Sequence, residues 1–160
     1  MSALITLDVP IKVKVQENGK VIEALEVTYR YPTKKEQKEF DEFSKNMKEL
    51  ARKLQKLESK ANILDKKIEF AEKSGDYKKA EKLLDEKERL ENEAEILLSE
   101  FEENGGFDFS EKLSEKMFNV LVGGKDKEKL EEYAIRIGFE KVVSLLNKER
   151  DEYEKKQSGE

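Results

Sequence analysis

The sequence predicts an α+β protein, mostly α, with an N-terminal β-hairpin, a long antiparallel coiled-coil helical hairpin and three short C-terminal helices. Three observations carry this. Between Leu7 and Tyr31 apolar and polar residues alternate on either side of Asn18-Gly19, the period of a half-buried strand around a tight turn. From Phe40 to Phe101 seam positions recur in alternating steps of three and four, interrupted at Ser74-Gly75-Asp76, which is a heptad repeat. After Phe101, glycines at Gly105-Gly106, Gly123-Gly124 and Gly138 divide the chain into short amphipathic stretches. The implied organisation is a head made of residues 1–33 and 105–160 and a coiled-coil arm made of residues 34–104.

In the hairpin, Val15 opposite Ile22 and Val13 opposite Ala24 satisfy a two-residue turn, but Leu25 and Val27 then face the wrong way. One extra residue near Glu23-Ala24 restores the phase, so a β-bulge is expected there. Pro10 cannot donate to a ladder and places its strand at an edge. A two-stranded hairpin alone is marginal, so helices or a further strand of this chain must cover it.

Pro32-Thr33 ends the second strand, and Thr33 with Glu36 has the spacing of a capping box. The arm opens there. Its first helix carries the seam Phe40, Phe43, Met47, Leu50, Leu54, Leu57, Ala61, Leu64, Ile68 and Ala71. Gly75 stops it and Asp76 caps the second helix, whose seam is Ala80, Leu83, Lys87, Leu90, Ala94, Leu97 and Phe101. Folding back at Gly75 sets Ala71 against Ala80, Ile68 against Leu83, Leu64 against Lys87 and Leu50 against Phe101 in one register. Lys67–Glu86, Lys60–Glu93 and Lys53–Glu100 become cross-helix ion pairs. Residues 34–73 hold 12 basic and 9 acidic side chains, and residues 76–103 hold 5 and 11, so the helices carry opposite net charge. Lys87 interrupts the seam, and its stem is expected to lie along its own helix. The flank bearing Ala51, Glu58, Tyr77, Glu91 and Leu98 is more apolar than a solvated edge should be.

Phe40, Phe43 and Met47 outrun the second helix and are expected to pack on Phe107, Phe109, Met117 and Phe118. Asp108 and Glu111 have capping-box spacing ahead of a helix with Leu113, Met117, Val120 and Leu121 inward. Gly123-Gly124 caps its end, Asp126 caps the next helix, with Leu130, Ala134 and Ile137 inward, and a last helix starts near Phe139. The polar tail from Lys155 to Glu160 is expected to fray.

The 160 residues are 43% charged and 36% apolar, with net charge −5. This suits long exposed helices and argues against a nucleic-acid binder. With no cysteine and no histidine, disulfides, thiolate metal sites and the commonest general base are excluded. The expectations are no enzyme activity, no metal, no cofactor and no membrane span. Met1-Ser2-Ala3-Leu4 lacks the basic start and apolar core of a signal peptide, so a cytoplasmic location is expected. Gly123-Gly124-Lys125 superficially suggests a phosphate loop, but it follows a helix and lacks the longer glycine pattern.

Leu7-Asp8-Val9-Pro10-Ile11, Leu25-Glu26-Val27-Thr28-Tyr29-Arg30-Tyr31-Pro32-Thr33 and Leu121-Val122-Gly123-Gly124 resemble segments of phage tail assembly chaperones of the Mu-like and P2-like kind. The resemblance covers about a third of the chain and omits the arm. It implies a non-enzymatic protein that binds the tape-measure protein in the host cytoplasm, with no catalytic residue to carry over.

Apolar residues outside the seam give the candidate partner-binding set: Ile63, Phe70, Tyr77, Leu84 and Leu98. Such stripes mark association surfaces or pack on another helix of the same chain. The first expectation is a protein partner with an elongated helical shape, such as a tape-measure protein, held by a homo-oligomer. A coiled-coil adaptor or scaffold, or a phage-borne inhibitor of a host enzyme, are the alternatives.

Overall fold

Asn18 and Gly19 both take positive φ, 52° and 77°. In a computed structural model describing residues 3–159, they form the two-residue turn between β1 (Asp8–Glu17) and β2 (Lys20–Arg30). The readings of Met1, Ser2 and Glu160 fall outside the described residues. Gln16 pairs with Val21 but Val15 pairs with Glu23, so Ile22 is the extra residue. The bulge is present one position earlier than expected. It aligns Val9 with Tyr29, Ile11 with Val27 and Val13 with Leu25, all buried on one face.

The sheet has a third strand that the sequence analysis missed. β3 (Val122–Gly123) pairs antiparallel with β2, Tyr29 opposite Val122 and Thr28 opposite Gly123, which leaves β1 and Pro10 at the edge. Gly123-Gly124 is therefore more than the helix cap it was expected to be. A Cβ on Gly124, at φ +98°, would lie 3.0 Å from the Val27 α-carbon and 3.1 Å from the Thr28 nitrogen. Only glycine lets these two backbones approach so closely. Asp126 corrects a second expectation. It makes no side-chain cap to its helix. Its Oδ2 instead accepts from the Glu26 N–H at 2.8 Å, and its own N–H donates to the Glu26 carbonyl at 3.3 Å, so it continues the ladder beyond β3. Lys125, in the superficially loop-like segment, pairs with Glu26 at 3.1 Å.

Helix makes up 72% of the described residues. After Asn104 come a 3-10 turn at Gly106–Asp108, α3 (Phe109–Leu121), α4 (Lys127–Ile137) and α5 (Phe139–Gln157) in chain order, once the two long helices α1 (Lys34–Lys73) and α2 (Tyr77–Glu103) are counted. The C-terminal part thus has four helical elements rather than three, and α5 runs through much of the tail expected to fray. Glu111 does not complete a box with Asp108. Its carboxylate accepts the N–H of Phe139 and, at 3.0 Å, that of Glu140. It thereby satisfies orphan donors at the positive end of α5.

The chain divides into two compact units, Met1–Glu42 with Ser110–Glu160, and Phe43–Phe109. In the first, the hairpin face packs with Phe40, Phe118, Leu121, Leu130, Ala134, Val142, Val143 and Leu146. Each fully buried large side chain contributes about 1.5–3 kcal/mol. Phe118 meets Phe139 edge-on at 5.4 Å and shares this core with Phe40, with Met117 packed against it, as expected of those three residues. Ile137 and Val120, expected inward, are exposed. Polar contacts fix the helices on β2. Lys129 and Tyr133 bind Glu23 at 3.0 and 2.8 Å, and the Tyr29 hydroxyl donates to Asn147 at 2.8 Å. The Arg150 guanidinium lies 4.9 and 4.6 Å from the Tyr29 and Tyr31 ring centres. Burial pushes the Tyr31 hydroxyl up to about 12.

The capping box forms as expected. The Thr33 N–H donates to Glu36 Oε1 at 2.9 Å and the Glu36 N–H to Thr33 Oγ1 at 3.1 Å. Arg30 adds two hydrogen bonds of 2.7 Å to the same carboxylate. The Arg30 guanidinium and then the Thr33 N–H hold the Glu36 carboxyl at about 2.

Two outcomes follow. Gly124→Ala should destabilise the fold by about 1–3 kcal/mol. Gly123→Ala should cost less, because the added methyl would meet only the movable Thr28 hydroxyl, at 3.1 Å; denaturant midpoints measure both. Because the folded pKa of Glu36 is depressed, its contribution is complete above the ordinary carboxylate value of 4.5 and is lost as pH falls towards about 2. Glu36→Gln should flatten the acid limb of stability against pH, and Thr33→Ala should cost about 1 kcal/mol at neutral pH.

Candidate functional site

The second unit is built on α1 and α2. Gly75, at φ 77°, ends α1, and the Asp76 N–H reaches back to the Ala71 carbonyl at 2.9 Å. Asp76 Oδ1 then accepts from the Lys79 N–H at 3.2 Å and caps α2. Every seam position from Met47 to Phe101 is buried or half-buried. Met47, Leu57, Leu64, Ile68, Ala71, Ala80 and Phe101 are buried, while Leu50, Leu54, Ala61, Leu83, Leu90, Ala94 and Leu97 are half-covered.

The ion pairing between the helices differs from the expectation. Among the described residues, Lys67–Glu86, Lys60–Glu93 and Lys53–Glu100 are absent from the ion pairs within 4.0 Å. Long exposed side chains gain little from closing such pairs. Lys87 makes the crossing instead. Its Nζ lies 2.6 Å from Asp65 Oδ1 on α1 and 3.6 Å from Glu91 Oε1 on its own helix. It therefore leaves the seam across the helices rather than only along its own. The hydrogen bond to Asp65, then the charges of Asp65 and Glu91, raise its pKa. Asp65 is next to Leu64, the residue the sequence register sets opposite Lys87.

Beyond this bridge the two helices enclose a groove of about 880 Å³. Its floor is Leu54, Leu57, Ala61, Leu90, Ala94 and Phe101. One wall is Lys48, Ala51, Arg52, Gln55 and Glu58, the other Glu91, Glu95 and Leu98, and Phe107 closes an end. Alanines at 51, 61 and 94 leave the space that leucines would fill. Phe107 meets Phe101 edge-on at 5.1 Å, at the end of α2.

The five sequence candidates separate. Leu98, 44% exposed, lines the groove. Ile63 (54%), Phe70 (72%), Tyr77 (71%) and Leu84 (48%) lie outside it, open to solvent. Sequence reasoning missed Ile96, which is also exposed and whose position off the heptad was a readable signal. Nor did it place Arg52, Glu95 and Phe107 together, which line the groove only once the two helices lie side by side. A smaller cavity of about 330 Å³ in the first unit is lined by Val13, Ile22, Tyr133, Ile137 and Leu145 among others.

Among the described residues, no cluster of three or more acidic side chains could hold a metal ion, and no helix is long and apolar enough to cross a membrane. No protein family, curated protein or solved structure matches the chain.

Exchanging charges tests the crossing. Asp65→Lys and Lys87→Asp should each lower the melting temperature, and the double exchange should recover part of the loss. The same cycle on Lys60 and Glu93 should be additive, since that pair does not form.

Proposed function

We propose that the protein is a non-enzymatic assembly chaperone for an elongated helical phage protein of the tape-measure kind, acting in the host cytoplasm. In this reading α1 and α2 form an antiparallel coiled-coil arm. The client lies along its outer surface, on Ile63, Phe70, Tyr77 and Leu84. The single observation that carries the reading is the exposure of these four side chains on helices whose seam positions are all at least half-covered. Folding stability alone gives no reason to leave them in water, whereas amphipathic helices are recognised through apolar anchors. The resemblance of the hairpin segments to tail assembly chaperones supplies the class of client. The chemistry asked of the protein is apolar contact, so neither a cofactor nor nucleic acid enters the reading.

Phe70→Ser with Leu84→Ser should weaken binding to the tape-measure protein encoded in the same gene cluster by about 100-fold, from two lost anchors of about 1.5 kcal/mol each. The melting temperature should stay within about 2 °C of the parent. Unfolding by the same pair would make these residues core and end the reading. So would a gene neighbourhood without tail-tube and tape-measure genes.

A further inference from the structure

The groove on the helix pair is not explained by a client held at Ile63, Phe70, Tyr77 and Leu84. Its floor contains Leu54, Leu90 and Ala94, seam residues that stay half-buried where Leu57 and Phe101 are buried. Two helices form a single layer, and an apolar stripe on one layer is buried only when another layer covers it.

The charges along the groove indicate which layer. With the helices antiparallel and Lys87 set against Asp65, the positions order themselves along the axis. Glu58, Glu91 and Glu95 occupy the end nearer that bridge, and Lys48 and Arg52 occupy the other, beside Phe107. The patch has a negative half and a positive half with apolar floor between. An interface between identical copies across a two-fold axis must be complementary to itself. This patch meets that condition. A half-turn about an axis that lies in the interface and crosses the groove near Leu54 lays the basic half of one copy on the acidic half of the other. Glu58 of the second copy then falls level with the turn between Lys48 and Arg52, on the same wall of the groove. A client of fixed sequence would need only a groove of one polarity.

We propose that this groove is closed by the same groove of a second copy, giving a two-fold, four-helix layer. The proposal rests on the antiparallel arm described above but not on the identity of the client. The floor from Lys48 to Ala61 is about 20 Å long and two helices are about 20 Å wide. The resulting area, about 400 Å² per copy, is at the weak end of specific interfaces. The dimer should therefore be concentration-dependent in the micromolar range, and it should weaken as salt screens the charged ends.

Sedimentation velocity on the full chain, from about 1 to 500 μM, tests this. The parent should pass from monomer to dimer. K48E/R52E alone should remain monomeric, because acidic ends then face acidic ends, and E58K/E95K alone should remain monomeric for the converse reason. An equimolar mixture should regain the dimer mass, since in the mixed pair every reversed end meets a reversed partner. All five side chains of the charged ends are exposed, and far-UV circular dichroism of each variant checks that helix content is kept. A parent that is monomeric throughout, single variants that still dimerise, or a mixture that stays monomeric overturns the proposal. A monomeric parent that loses client affinity on Leu98→Asp would give the groove to the client instead. The Asp65/Lys87 exchange reads the antiparallel arm separately, through stability. A loss of coupling there refutes the arm, while a loss of the mass shift alone refutes the dimer.

Discussion

The outer edge of β2 has to be satisfied by groups a hundred residues further along the chain, and the first unit is arranged around that closure. The Glu26 N–H finds its acceptor in Asp126, and Thr28 and Tyr29 find partners in a strand of only two residues. So short a strand carries little stability of its own. What it fixes is where α3 ends and α4 begins, and hence which helices cover the buried face from Val9 to Tyr29. Lys125, Lys129 and Tyr133 then pair with Glu26 and Glu23 along the same edge. Glu111 performs the corresponding service at the other junction, by holding the start of α5.

How much of this was legible follows from the range of each interaction. Asn18-Gly19, Thr33 with Glu36, and Gly75-Asp76 act within four residues, and each does in the structure what its local pattern indicates. The apolar spacing of α1 and α2 was readable too, since every seam position from Met47 to Phe101 is buried or half-buried, whereas the reach of Lys87 across to Asp65 was not. Asp126 and Glu111 carry the same local signature as helix caps, yet their carboxylates are used by backbone groups distant in sequence. Nothing in the neighbouring residues separates the two uses. Gly123-Gly124 is a similar case. A glycine pair after a helix reads as a cap, and the real requirement, close approach to the backbone of Val27 and Thr28, appears only when the strands are adjacent. For the candidate site, the composition of one flank was visible, but the groove was not. Its space comes from three alanines on two helices, and no single segment contains them.

Charge plays different parts in the two units. Around β2 it acts through short, directed bonds, most clearly where Arg30 and Glu36 meet twice at 2.7 Å. On α1 and α2 most charged side chains are exposed, and there what matters is distribution along an axis. Exposed pairs of this kind contribute little individually, but they discriminate strongly between ways of placing one helix surface on another.

The order in which the chain is made gives the β2–β3 pairing a cost in time. Ribosomes add about 5–20 residues per second, and Asp126 follows Glu26 by 100 positions. The hairpin therefore waits about 5–20 s for its third strand and its covering helices. For that interval Val9, Ile11, Val13, Leu25, Val27 and Tyr29 face water on a sheet with two open edges, the geometry that recruits other nascent strands. Pro10, Lys12 and Lys14 on β1 interrupt or repel such pairing at one edge. On the β2 edge the closure itself is the protection, so the glycines that let it form also end the period in which the nascent chain is prone to aggregate.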